Sequence, residues 1–383
     1  MLRSPDSSSR RARAPIEKLR RVSGAAGRLL DWYRPRRRSV PGRNESDPYR
    51  IWVAEVMAQQ TRISTVIPYN EAFVDRFPDV ETLAASSLDE VLKAWEGLGY
   101  YGRARNLHRA AREVQARYGG RLPEEVGSLR SLPGIGAYTA GAIASIAFGR
   151  PEPAVDGNVR RVLARLFDLE QPSPRRLDEL SRELIGKAGG RAGSLNQALM
   201  DLGSSVCTPR SPDCAVCPVE IDCLAFRNGT VALRPPRRKR APLPHQDIAA
   251  ALVWRGPHLL IARRPEEGLL GGLWEFPGGK VEAGETPADA ARREVWEEHR
   301  VRVEVLGEAA TIQHAYSHFR ITLHLFHARC VGGESTISEN PAGSPRWVLP
   351  SELGRFAFPA ANHDVVQRLV SGKERGPDSL GPA

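Results

Sequence analysis

Apolar residues recur at a helical spacing through the first half of the chain, most clearly around Ile51 to Ile67, Leu88 to Leu98 and Ala137 to Phe148. Asp47-Pro48 reads as a helix start, a capping acceptor followed by proline at the first helical position. Residues 25–227 are therefore expected to be mostly helical. The period changes after residue 246. Asp247 to Trp254 and His258 to Arg263 predict strands around a Gly256-Pro257 turn. A helix is expected at about Thr286 to His299 and a further strand over Arg320 to Val331. The fold class is thus multidomain, an all-α domain followed by an α/β domain with its own core.

At 383 residues the chain is long enough for two or three domains. Five segments are expected: a disordered basic tail (1–24), the helical domain (25–227), a basic Pro/Arg linker (228–246), the α/β domain (247–373) and a second tail (374–383). The linker centres on Arg234-Pro-Pro-Arg-Arg-Lys-Arg-Ala-Pro242, which suits a strap along DNA backbone or a plain solvated spacer. The net charge of +10 favours a polyanionic partner. An Arg-rich coding bias gives the same number. No apolar run is long enough to span a bilayer, and the N-terminus lacks the apolar core of a secretory signal. The expectation is a cytoplasmic, nucleoid-associated monomer with no membrane contact.

Four of the five cysteines fall within seventeen residues: Cys207, Cys214, Cys217 and Cys223. Disulfide-stapled proteins spread their cysteines more widely. Four thiolates on one short loop suit tetrahedral zinc or an iron–sulfur cluster. Zinc ribbons bring two Cys-x-x-Cys pairs together from separate segments, whereas this array has one such pair, so a cluster is the preferred ligand. Cys330 lies elsewhere and reads as an ordinary strand residue.

Leu132-Pro-Gly-Ile-Gly-Ala137 stands between two helical stretches. Gly134 and Gly136 allow a tight turn with N–H groups exposed at the next helix start, a natural phosphate site. A Gly/Pro-rich loop follows, then Val155-Asp156-Gly157-Asn158. Alone, Asp156 before glycine would be a turn or helix cap. A second acid, Glu55, lies in Glu55-Val-Met-Ala-Gln-Gln-Thr61.

The cysteine spacing, the hairpin and Asp156 together resemble the helix-hairpin-helix DNA glycosylases. Glu55 to Thr61, Gly97-Leu-Gly-Tyr-Tyr-Gly-Arg-Ala-Arg-Asn-Leu107 and Asn196-Gln-Ala-Leu-Met-Asp-Leu-Gly203 narrow this to the adenine DNA glycosylase (MutY) family, over about residues 28 to 227. The resemblance implies a helix-hairpin-helix domain with one 4Fe-4S cluster that staples a DNA-gripping loop. Arg210 and Arg227 are the local cations. It implies that Glu55 protonates the leaving adenine and that Asp156 stabilises the cationic sugar or traps it before water attacks. Lyase-competent relatives carry lysine where Tyr138 stands. A tyrosine forms no Schiff base, so a monofunctional enzyme is expected. The partner would be double-stranded DNA holding A opposite 8-oxoguanine or G, with the adenine flipped out. Gln60 and Tyr100 would wedge into the base stack, Gly134, Gly136 and Asn158 would meet DNA, and Arg43 would sit near the adenine. One departure is Val40-Pro-Gly-Arg43, where the family usually has tryptophan at the position of Gly42.

The C-terminal domain resembles the Nudix fold, in particular 8-oxoguanine readers. The reader turn would be His314-Ala-Tyr-Ser-His318, with Tyr316, Ser317 and His318 recognising the lesion. Gly279-x5-Glu285-x7-Arg293-Glu294-Val295-Trp296-Glu297-Glu298 nearly completes a Nudix box, with Arg300 replacing the final glycine. Glu294, Glu297 and Glu298 share a helix face and suit Mg²⁺ in a retained nucleotide pyrophosphohydrolase. The favoured reading is a relic whose acids are a solvated face.

Overall fold

The computed structural model describes residues 22, 24–236, 242–333 and 345–376. The expected tails, apart from residues 22, 24 and 374–376, lie outside the described residues, as does the centre of the basic linker (237–241). The chain forms two compact units, one of residues 1–85 with 106–239 and one of residues 86–105 with 240–383.

The first unit is helical. Helix α1 (24–33) buries Ala25, Ala26, Leu29 and Tyr33, and Val22 and Gly24 are already helical, so order begins inside the expected tail. Helix α2 (Pro48–Ala58) starts where Asp47 Oδ1 accepts from the Tyr49 amide at 2.9 Å. It is apolar nearly all round and buries every residue from Ile51 to Met57, Glu55 included, which marks it as a central helix. The chain continues through α3 (Ile63–Arg76) and α4 (Val80–Ala85), and then α5 (Leu88–Ala94), which packs in the second unit. Next come α6 (Gly102–Tyr118), α7 (Val126–Ser131), α8 (Ala137–Ile146), α9 (Gly157–Leu166), α10 (Pro174–Ile185), α11 (Ala192–Ser205) and the short α12 (Leu224–Arg227).

Two glycines set the closest approaches. A Cβ on Gly141 of α8 would stand 1.9 Å from the Pro153 carbonyl oxygen, and one on Gly203 of α11 would stand 2.6 Å from the Asn158 Cβ. The Gly/Pro loop and the start of α9 thus lie directly on two other helices. The first part of the expected linker also belongs to this unit. Thr230 and Arg234 donate to Asp168 Oδ1 at 2.6 and 2.8 Å, and Arg165 Nε donates to the Val231 and Arg234 carbonyls.

The second unit is a mixed sheet with helices on both faces. Its strands are β1 (His245–Arg255), β2 (His258–Arg263), β3 (Trp274–Glu275), β4 (Gly278–Lys280), β5 (Val301–Ala315), β6 (Arg320–Gly333) and β7 (Arg346–Val348). The main order is β3-β2-β1-β6-β5, with β4 on β1 and β7 on β2. β1 and β2 form the expected hairpin, and β1 pairs with β6 in parallel from His245 to Trp254. Helix α13 (Pro287–His299), capped by Thr286, covers one face, and α14 (His363–Val370) closes the other core. β5 was not expected. It is largely exposed and its register with β6 shifts three times, which blurs the two-residue alternation.

Residues 86–105 were expected in the helical domain, yet they pack with the sheet. Asp89 pairs with Arg263 and accepts from Trp274 Nε1 at 3.2 Å. Lys93 donates to the Phe356 carbonyl at 3.0 Å, and Glu96 accepts from the Phe358 amide at 2.8 Å. Asp89, Lys93 and Glu96 thus meet charges or backbone groups far along the chain that local sequence does not reveal. Glu374, expected in the second tail, is held by His327 at 2.7 Å and Arg368 at 3.1 Å.

Candidate active site

Glu55 lies in the middle of α2 with 4% of its surface exposed. A carboxylate there needs partners, and it has two. The Tyr138 hydroxyl donates to Oε2, and Arg43 approaches Oε1 at 3.5 Å. Arg43 is itself buried and also lies 3.5 Å from Asp201 Oδ1, which Arg38 meets at 2.5 Å. Burial opposes the Arg43 charge, but Glu55 and Asp201 hold its pKa above the ordinary value. Burial first, then the neighbouring Glu55 and Asp156, push the Tyr138 phenol well above its usual range. Tyr138 is therefore a neutral donor aimed at an acid.

Tyr138 is also a wall of an open cavity of about 890 Å³ that includes Gln60, Gly134, Gly136, Asp156 and Asn158. The hairpin, the Asp156 loop and the end of α2 thus meet at one place. Asp156 has both of its expected identities. Oδ1 caps α9 by accepting from the Val159 amide at 2.7 Å, and Oδ2 accepts from Asn158 at 2.9 Å. The same side chain borders the cavity. Asn158 is packed beside it rather than free on the surface, with its Oδ1 accepting from Arg161.

Helix α11 organises this site, and its residues are those of the Asn196 to Gly203 motif. Asn196 accepts from the Ala154 amide and donates to the Glu152 carbonyl, holding the loop that ends in Asp156. Gln197 donates to the Gly42 carbonyl at 3.1 Å and accepts from Tyr33 at 2.7 Å. Asp201 takes Arg43 and Arg38. Sequence reasoning missed Asp201 and Arg38 as parts of the site. The motif itself was the available signal. Gly42 has φ +75°, and a Cβ there would lie 3.2 Å from Ala54 Cβ and 3.8 Å from Glu55 Oε1. Glycine lets this loop lie against α2 beside the acid.

Both expected wedge residues have left-handed backbones, Gln60 at φ +56° and Tyr100 at φ +50°. Such strain in non-glycine residues gathers at functional sites. Tyr100 packs in the second unit, edge-on to His318 with ring centroids 6.3 Å apart. The Arg103 guanidinium covers the Tyr100 and Trp95 rings at 5.3 and 5.4 Å and donates to the Gly99 carbonyl. Gly134 has φ +75° and packs on Asn106, and Gly136 caps α8 with open space at its Cα.

Cys207, Cys214, Cys217 and Cys223 all border one cavity, with Arg165 Nη1 3.3 Å from the Cys207 sulfur. Burial pushes the Cys217 thiol up to about 12. Burial thus favours the neutral thiol at Cys217. Among the described residues, no group of three or more His, Cys, Asp or Glu is arranged to hold a metal ion. Arg210 and Arg227 are exposed on this loop.

In the second unit, Tyr316 N donates to the Phe319 carbonyl at 2.9 Å and closes the turn between β5 and β6. Ser317 and His318 are exposed at its tip. Tyr316 instead points into a cavity of its own unit and stacks on Phe319 at 4.8 Å. The Nudix-like acids are held by Arg293, which bonds Glu285, Glu294 and Glu297 at 2.7, 3.0 and 3.1 Å. Glu298 faces the cavity. Arg300 takes the left-handed backbone, φ +55°, at the position of the missing glycine.

Residues 53–187 match the HhH-GPD superfamily of base excision DNA repair proteins, and residues 249–368 match the NUDIX domain. The adenine DNA glycosylase of Homo sapiens is 33% identical over 93% of this chain and 75% of its own length. That of Mus musculus is 34% identical over 90% of this chain and 78% of its own length. The chain belongs to the adenine DNA glycosylase family. A solved thermostable thymine-DNA glycosylase is 29% identical and superposes with a TM-score of 0.51, covering 55% of this chain and 98% of that one. The chain is thus a DNA glycosylase, a hydrolase of N-glycosidic bonds in base excision repair, with a Nudix-like domain behind its helical domain. No helix among the described residues is long and apolar enough to cross a membrane.

Proposed function

We propose that this glycosylase removes adenine paired with 8-oxoguanine or guanine in duplex DNA, as a monofunctional enzyme. One observation carries the reading: a buried Glu55, held by the Tyr138 hydroxyl, stands behind a cavity bordered by both Tyr138 and Asp156. An adenine flipped into that cavity would meet Glu55 as the acid for N7. Asp156 would lie beside the sugar and offset its developing positive charge. Arg43 acts by holding Glu55 in place against Asp201. The position a lyase would give to lysine is filled by Tyr138, whose hydroxyl is already committed to Glu55, so no Schiff base forms and the strand is not nicked.

Gln60 and Tyr100 would enter the stack around the orphan base. Gly134, Gly136 and Asn158 would meet the backbone. Ser317 and His318, on their exposed turn, would read the 8-oxoguanine edge, with Tyr316 backing them. Cys207, Cys214, Cys217 and Cys223 would hold one 4Fe-4S cluster. When bound it would cross-link the loop bearing Arg210 and Arg227. Arg293 bonds Glu294 and Glu297, which favours a relic over a retained Mg²⁺ site at Glu294, Glu297 and Glu298. Single-turnover cleavage of duplexes holding A opposite 8-oxoguanine, G, C or T tests the proposal. Release of adenine is expected from the first two, with no borohydride-trapped adduct. No release from either would end it.

A further inference from the structure

Tyr100 stands at the tip of a short loop within the second unit, and that loop is braced from several sides. Three of its four residues take the left-handed backbone: Gly97 at φ +93°, Gly99 at φ +76° and Tyr100 at φ +50°. Glycine adopts that region freely, whereas a residue with a Cβ stays there only where its surroundings hold it. The Gly97 amide donates to the Tyr101 hydroxyl at 3.1 Å. The Gly99 carbonyl accepts twice, from Trp95 Nε1 and from Arg103 Nη2, each at 3.1 Å. The peptide that leads into Tyr100 is therefore held through both lone pairs of its oxygen.

The side chains repeat this bracing. Trp95 is fully buried, whereas the Tyr100 ring is 36% exposed. The Arg103 guanidinium lies 5.4 Å from the Trp95 ring centroid and 5.3 Å from that of Tyr100. A planar guanidinium stacks on aromatic faces, which an ammonium group cannot do in the same way. Arg103 thus joins a core indole to an exposed phenol ring and, through the Gly99 carbonyl, to the backbone between them. Burial, opposed by Tyr100, pushes the Arg103 pKa down to about 10, so the group stays cationic at neutral pH.

We infer that Arg103 is a positioning residue for the wedge: it fixes Tyr100 in its left-handed backbone before DNA arrives, so that the ring enters the base stack without a prior rearrangement. That role rests on the reading of Tyr100 as a wedge. A preformed wedge raises the fraction of protein competent to insert, and apparent affinity scales with that fraction. Without the guanidinium the strained backbone relaxes and the competent fraction falls. An arginine that met phosphate instead would act through charge. Lysine would replace it well, and it would contribute about −0.9 to the slope of log K against log salt.

Four variants of the whole protein test this: Arg103→Met, Arg103→Lys, Tyr100→Ala and the double variant Tyr100→Ala, Arg103→Met. Stopped-flow fluorescence of a 2-aminopurine beside the target adenine, in a duplex holding A opposite 8-oxoguanine, follows unstacking. Anisotropy titrations at several salt concentrations give affinity and slope. Arg103→Met should slow the fluorescence rise and weaken binding about tenfold, as a competent fraction of about one in ten gives. Arg103→Lys should restore neither, and both variants should keep the wild-type salt slope. Adding Arg103→Met to Tyr100→Ala should cause no further loss, because the two side chains act as one unit. If Arg103→Met melts well below wild type, Arg103→Lys, which keeps length and charge, carries the same expectations. Wild-type unstacking in Arg103→Lys would overturn the inference, as would a slope shallower by about 0.9 or a fully additive double variant. A Tyr100→Ala protein that unstacks and cuts the duplex like wild type would end the wedge reading itself, and the role of Arg103 with it.

Discussion

Glu55 sits inside a helix that is buried on every side, and only its two partners make it tolerable there. That arrangement predicts distinct outcomes for neighbouring substitutions. Glu55→Gln removes the proton donor and should slow single-turnover adenine release by about 10²–10⁴-fold, with duplex affinity retained. Tyr138→Phe leaves one Glu55 oxygen without its donor. A hydrogen bond to a charged group contributes about 1.5–3 kcal/mol, so a loss of about 10–100-fold in the same assay is expected. An unchanged rate in Tyr138→Phe would show that the phenol does not steady the acid. Glu55, Asp156 and Tyr138 were legible because each lies in a short motif. Arg43 was placed near the adenine but not against Glu55, and Asp201 was not singled out. Their pairing joins residues 158 positions apart, which no local pattern announces.

Helices α8 and α5 carry different lessons. α8 was readable from its apolar run, but the reason for Gly141 was not, because Pro153 comes against it only in the fold. Gly141→Ala puts a Cβ within 1.9 Å of a backbone oxygen, which cannot swing aside. Overpacking of this kind costs about 1–3 kcal/mol, and more where backbone must move. Chemical denaturation should show a loss at the upper end of that range, and adenine release should fall because the same loop leads to Asp156. Helix α5 was read correctly as a helix, and the family match over residues 53–187 includes it, but residues 86–105 pack within the second unit, where Asp89, Lys93 and Glu96 find partners far along the chain. One of these is His363, 3.5 Å from Glu96. The Glu96 hydrogen bond raises the His363 pKa above 6.5. Burial works against the Glu96 charge, but His363, Lys93 and the Phe358 amide hold it below 4.5. The His363 contribution is complete below about 6.5 and is lost as pH rises through its raised folded value; the Glu96 contribution is present above about 4.5 and is lost as pH falls. The pair therefore supports the turn after α5 best between those two values. Melting curves of wild type and His363→Ala should differ most near pH 5.5 and converge at alkaline pH. A gap that widens with pH would contradict the assignment.

At the scale of the molecule, a net charge of +10 and four clustered cysteines suggested a DNA-bound protein with a stapled loop. Both halves of the fold class were legible because the hydrophobic period changes near residue 246. The long strand β5 was not, because exposure and bulges hide its alternation. The cysteine loop now supports a quantitative test. Phosphate contacts release counterions, and each contributes about −0.9 to the slope of log K against log salt. If the cluster holds Arg210 and Arg227 against phosphates, losing it should remove up to two contacts. The slope should then become shallower by about 1.8. Cys217→Ser, which spoils one ligand, should lose the visible thiolate-to-iron absorption and show that shallower slope in anisotropy titrations across several salt concentrations. The double variant Arg210→Ala, Arg227→Ala should keep the absorption and show the same slope. A shallower slope in the arginine variant alone would mean that the loop grips DNA without its staple. An unchanged slope in both would remove this loop from the DNA interface.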